Sequence, residues 1–158
     1  MFHNGCWLLK EGFGGFSPKQ VYESRIREKE VTICAPTAPI RKKGDTLGGI
    51  NLTVRITAPA PDILHIQACH HKGVLKREPE FELELQEEQT LDVEETQSAI
   101  VIRSGRLSLT IDRDTCDMRY EREGELLTKS GPGDLVYVKE NWTGAAYDKG
   151  GNAHMCQQ

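Results

Sequence analysis

Cys69-His70-His71 is the densest run of potential metal ligands in the chain. On a strand, neighbouring side chains point to opposite faces, so Cys69 and His71 could share one face with His70 on the other. A zinc site needs further ligands at defined spacing, and His3, His65 and His154 supply none. The run therefore reads as a strand end entering a turn at Gly73. The five cysteines, Cys6, Cys34, Cys69, Cys116 and Cys156, are widely spaced and contain no CxxC pair. They read as reduced thiols, and neither a metal nor a cofactor is expected. The chain has no GxSxG elbow, HExxH, P-loop or strand-borne GxGxxG. Asp112-Arg113-Asp114 and Asp117 read as turn residues rather than as a held carboxylate pair.

These side chains must be positioned by strands, because the dominant hydrophobic period is two. Ile50, Leu52, Val54 and Ile56 alternate with Asn51, Thr53, Arg55 and Thr57. Leu64, Ile66 and Ala68 alternate with His65, Gln67 and Cys69, and Leu107, Leu109 and Ile111 with Arg106, Ser108 and Thr110. Phe81, Leu83 and Leu85 alternate with Glu80, Glu82 and Glu84. Shorter strands are expected over 21–26, 31–35, 98–103, 118–122 and 135–139. No helical stripe with caps occurs, and only 87–95 leaves room for a short helical turn.

Ser104-Gly105 and Glu123-Gly124 mark two hairpins. Ala58-Pro59-Ala60-Pro61-Asp62 reads as a connection, since two prolines should not continue a central ladder. Residues 10–18, the basic glycine-rich loop 41–49 and residues 141–158 read as irregular. The expected fold is an all-β antiparallel sandwich with little helix.

Composition sets the outer limits. The 158 residues carry 20 Lys and Arg against 24 Asp and Glu, a net charge of −4. That balance argues against nucleic acid or an anionic membrane as partner. Nine of the acids lie between Glu78 and Glu95 with no Lys or Arg among them, which reads as a solvated face. No secretory leader stands at the N-terminus, so a cytoplasmic location is expected.

An ordered set of segments carries a family resemblance: Trp7-Leu8-Leu9, Gly12, Pro18-Lys19-Gln20-Val21-Tyr22-Glu23, Val31-Thr32-Ile33-Cys34-Ala35-Pro36, Arg41-Lys42-Lys43, Leu52-Thr53-Val54-Arg55, Ser104-Gly105-Arg106-Leu107-Ser108-Leu109 and the hairpin 118–127. In this order the chain resembles the N-terminal β-sandwich of glycoside hydrolase family 31, in its α-xylosidase and α-glucosidase branch. The resemblance implies a galactose-mutarotase-like sandwich (a supersandwich) over residues 1–158, as one N-terminal domain of a larger retaining α-glycosidase. A (β/α)8 barrel of the same parent chain would follow and carry both catalytic aspartates, so no catalytic residue falls on this sequence and no cofactor is needed.

The same resemblance implies that loop 41–49 reaches toward an active site, with Asp45 near the sugar, and that the parent forms a homo-oligomer. It implies that 141–158 leads toward the barrel, with Trp142 and Tyr147 as interdomain contacts. Two other readings stay open. An independent carbohydrate-binding module needs a platform of exposed aromatics. An aldose 1-epimerase-like enzyme needs a His acid and a Glu base converging on a concave sheet, for which His65, His70 and His71 are available.

Overall fold

The computed structural model describes residues 9, 11–47, 49–70, 89–131, 133–140 and 153–157, with backbone alone for Thr46 and 153–157. Among the described residues, twelve strands run in the order β1 Phe13–Phe16, β2 Glu23–Ile26, β3 Glu30–Pro36, β4 Asn51–Ala60, β5 Ile63–Cys69, β6 Asp92–Glu95, β7 Ala99–Ser104, β8 Leu107–Asp112, β9 Met118–Arg122, β10 Glu125–Ser130, β11 Leu135–Glu140 and β12 Ala153–Gln157. One 3-10 turn, Lys43–Thr46, interrupts the β3–β4 connection. The strands form a four-stranded sheet β2-β3-β4-β5, a five-stranded sheet β10-β9-β8-β7-β6 and a three-stranded sheet β1-β11-β12. Every described pairing is antiparallel. This is the expected all-β sandwich architecture.

Period-two alternation is the reason. Val31, Ile33 and Ala35 of β3 and Leu52, Val54 and Ile56 of β4 are fully buried, as are Ile100, Ile102, Leu109 and Ile111 of β7 and β8. They form one cluster drawn from both larger sheets. Burying each large side chain is worth about 1.5–3 kcal/mol, so this cluster is the main cohesive term. The intervening residues face outward, and Thr32, Arg55 and Gln67 stand in one cross-strand row.

One flank of the sandwich is closed by polar ties. Arg113, in the β8–β9 turn, donates to Ser24 Oγ of β2 at 3.1 Å and to Glu95 of β6. Ser24 Oγ itself donates to Glu95 at 2.6 Å. The Leu91 and Val21 amides add bonds to the Glu28 and Arg113 carbonyls.

Several expectations are corrected. The proline-bearing segment 58–62 is not wholly a connection: β4 continues through Pro59, and its pairing with β5 skips from Thr57 to Ala60. The break absorbs the missing proline donor, and β3 has already ended opposite Thr57. Residues 10–18 contain β1, which pairs with β11. Residues 141–158 contain β12, which pairs with the other side of β11. Both strands are held by backbone pairing that needs no apolar alternation. The stretch 87–95 holds no helical turn among its described residues; its end is edge strand β6, which offers only Val93 to the core. The β7–β8 turn is Gly105-Arg106, one residue later than expected. The Phe81–Leu85 alternation lies outside the described residues.

Candidate functional site

Three surfaces gather the groups that could do chemistry. The first is loop 41–49. Asp45 sits half-buried in the 3-10 turn, and its Oδ2 accepts the Arg41 and Lys42 amides at 3.0 and 3.1 Å. This carboxylate closes its own loop. It is held in a fixed place, and Lys42 and Arg41 stand exposed beside it.

The second is the outer face of the four-stranded sheet. Register places Glu30, Thr57 and His65 in one row, and Glu23, Cys34, Thr53 and Cys69 in another. Glu30 lies within 2.5 Å of Arg55 Nε and accepts the Thr32 hydroxyl at 3.0 Å. The Arg55 guanidinium holds the Glu30 carboxyl below the usual carboxylate range, against the opposing effect of partial burial. Glu30 and His65 are separated by the width of β4, and Glu30 is engaged by Arg55. Among the described residues of this face, Glu30 and His65 are therefore not brought together as the Glu base and His acid of an epimerase would be. His70 turns away from this face: its Nδ1 donates to the Asn51 carbonyl at 3.1 Å, and its ring lies 4.5 Å from that of buried Tyr137. His71 lies outside the described residues.

The third is the end of the sandwich where the β4–β5 and β7–β8 turns meet. Asp62, with φ of 60°, occupies the first turn; Gly105, with φ of 58°, opens the second. Asp62 accepts both the backbone amide and the guanidinium of Arg106. The Arg106 amide above all, and then its side chain, hold the Asp62 carboxyl below its ordinary value. A groove of about 270 Å³ opens here, lined by Asp62, Arg106, Leu107, Arg122 and Leu127. The separate expectation of turn residues at 112–117 holds. Asp112 Oδ1 accepts the amides of Asp114 and Thr115 and the Thr115 hydroxyl. In the same turn burial pushes the Cys116 thiol up to about 11.

Among the described residues no three His, Cys, Asp or Glu side chains converge as a metal site. Tyr22 is the one aromatic of these residues that stands about half exposed. Trp142 and Tyr147 lie outside the described residues, as does Trp7. Among the described residues no helix is long and apolar enough to cross a membrane.

No family model matches the chain. It is 29% identical over 131 residues to the alpha-xylosidase XylQ of Lactiplantibacillus pentosus, covering 82% of this chain and 17% of that protein. It is 29% identical over 111 residues to an alpha-xylosidase of Emericella nidulans, covering 70% of this chain and 14% of the relative. Both relatives are alpha-xylosidases, and the chain matches only a small part of each. This chain thus spans about one sixth of the length of the curated relatives it matches.

Among solved structures, the cycloalternan-forming enzyme of Listeria monocytogenes, crystallised with a pentasaccharide substrate, superposes with a TM-score of 0.61 at 14% identity. The superposition covers 82% of this chain and 11% of that one. The same values hold for an uncharacterized Listeria monocytogenes protein in complex with glucose, magnesium and calcium. At that identity the likeness speaks for the sandwich fold. The contact between Asp62 and Arg106 was not legible beforehand. Both turns were marked by Pro, Asp and Gly, but nothing local says that they touch.

Proposed function

We propose that this chain is the N-terminal accessory sandwich of a retaining α-glycosidase of the alpha-xylosidase type, acting on α-linked xylosides or glucosides. The observation that carries the reading is the 29% identity over 131 residues to a stretch making up 17% of an alpha-xylosidase. In this reading the 158 residues are catalytically silent. The two aspartates that form and hydrolyse the glycosyl-enzyme stand on a (β/α)8 barrel of the same parent chain. The sandwich supports that barrel and provides a rim of its pocket or an oligomer contact, without a cofactor and inside the cytoplasm.

Loop 41–49 is the element suited to the rim. Asp45 is fixed by two backbone amides, so a carboxylate is held at one position on an exposed basic loop. A pre-positioned acceptor of this kind suits a sugar hydroxyl better than a freely rotating side chain does.

The test is to read the coding frame downstream of Gln158 and assay the parent chain and the 158-residue chain on p-nitrophenyl α-D-xyloside and α-D-glucoside. Hydrolysis is expected from the parent alone, with the xyloside preferred. Asp45→Asn in the parent should raise KM while leaving the melting temperature nearly unchanged. A frame that encodes no barrel, or hydrolysis by the 158-residue chain itself, overturns the reading.

A further inference from the structure

The outer face of the five-stranded sheet carries a groove that the roles described so far do not use. Register sets Thr110, Arg119 and Lys129 side by side across β8, β9 and β10. Their neighbours Leu109 and Ile111 are buried on the opposite face. The row lies along a groove of about 590 Å³, which Asp112 and Asp117 border at the β8–β9 turn and Ser130 and Asp134 at the β10–β11 turn. Two of the carboxylates are fixed by backbone amides. Asp112 Oδ1 accepts those of Asp114 and Thr115, and Asp134 Oδ2 accepts that of Gly131 at 2.7 Å. The Asp134 amide donates back to the Gly131 carbonyl, which closes that turn. Arg119 is steadied by Glu121 at 2.6 Å. The second oxygens of Asp112 and Asp134, the Asp117 carboxylate, the Lys129 ammonium and the Thr110 and Ser130 hydroxyls take no hydrogen-bond partner among the described residues.

The mixture of charges decides the class of ligand. An anion drawn to Arg119 and Lys129 would face Asp112, Asp117 and Asp134. A metal ion would face the two cations, and among the described residues no three His, Cys, Asp or Glu side chains converge. An apolar ligand would strip water from these groups and give nothing back. A zwitterion of amino-acid size would use one carboxylate and one cation and leave the rest of the lining unmatched. A neutral polyhydroxylated ligand matches all of it, because each hydroxyl both donates and accepts. The volume is that of a pocket for a small organic ligand. We propose that the groove over Thr110, Arg119 and Lys129 binds a mono- or disaccharide, with the carboxylates accepting from its hydroxyls and Arg119 and Lys129 donating to them. The inference stands on the groove alone and goes beyond the accessory-domain reading, in which sugar meets only the rim at Asp45. No aromatic ring lines the groove. Binding therefore comes from hydrogen bonds, and a dissociation constant of about 1–10 mM is expected.

Amide NMR of the nitrogen-labelled 158-residue chain, titrated with maltose and with D-xylose, tests this. Saturable shifts are expected at Thr110, Arg119, Lys129 and Gly131, and not at loop 41–49. Lys129→Ala and Asp117→Asn should each weaken binding about five-fold while the remaining amide spectrum stays that of the folded chain. Arg103→Ala, on the same sheet face but outside the groove, should leave the affinity unchanged. No saturable shift with either sugar up to ~50 mM overturns the inference, as does unchanged affinity in both groove variants. Saturation of the same amides by inorganic phosphate, calcium chloride or glycine betaine, with none by the sugars, assigns the groove to an ion or a zwitterion and also overturns it. Each of these results leaves the accessory-domain reading standing.

Discussion

Asp62 and Arg106, 44 residues apart, lock two hairpin turns from opposite sheets together through one carboxylate. Its Oδ1 accepts the Arg106 amide at 2.5 Å, and its Oδ2 accepts Nε at 2.9 Å and Nη2 at 2.7 Å. Both turns depend on left-handed backbone, and they come so close that a Cβ at Gly105 would lie 2.2 Å from Asp62 Oδ1. The pair therefore sets how the four-stranded sheet sits over the five-stranded one at this end.

Gly105→Ala is expected to destabilise the chain by about 1–3 kcal/mol, from left-handed strain compounded by the clash. Urea unfolding measures it. In an Asp62→Ala background the 2.2 Å side-chain clash is gone and only the 3.0 Å approach to the backbone nitrogen of residue 62 remains, so the same substitution should cost less; equal costs in the two backgrounds would show that the turns are not coupled.

Acid should loosen the same lock. The folded state lowers the Asp62 and Glu30 carboxyls from ordinary values of 3.8 and 4.5. The unfolded chain then binds the more protons, so this stability is fully present above those values and is lost as pH falls through and below about 4. Thermal melts between pH 7 and 2 should show the decline, and Asp62→Asn or Glu30→Gln should each flatten it. A decline unchanged in both variants would falsify the assignment.

The cysteines should separate in reactivity. Cys116 is buried, with its thiol raised to about 11 by desolvation and by the neighbouring Asp117 and Asp112 charges, so little thiolate exists near neutral pH. Cys34 and Cys69 are half-exposed on the outer sheet face. Iodoacetamide at pH 8 followed by peptide mapping should label Cys34 and Cys69 first and Cys116 only on unfolding. Cys34 and Cys69 flank Thr53 across two strand spacings, about 10 Å, too far for an internal disulfide. Mild oxidation should leave that pair unlinked.

Core truncation should be costly where both sheets meet. Ile56→Ala or Ile102→Ala removes a fully buried side chain and should cost about 2–5 kcal/mol by chemical denaturation. Leu126→Ala, at a half-exposed edge position, should change the stability of the 158-residue chain far less.

Much of the architecture is written locally. Val31 to Ala35, Leu52 to Ile56 and Leu107 to Ile111 announce strands and their inner faces, because alternation is a property of consecutive residues on a pleated backbone. The Glu123-Gly124 turn is equally local, since its two residues take positive φ as a tight hairpin requires. The strands at 13–16 and 153–157 could not be seen this way. They exist because β11 offers an edge on each side, and backbone pairing is blind to side-chain pattern. The chain's own residues thus spelled out which faces are apolar and where it turns. Which edges pair, which carboxylate meets which arginine, and which apolar side chains are left uncovered followed from long-range closure, because those contacts join segments whose separation no local period records.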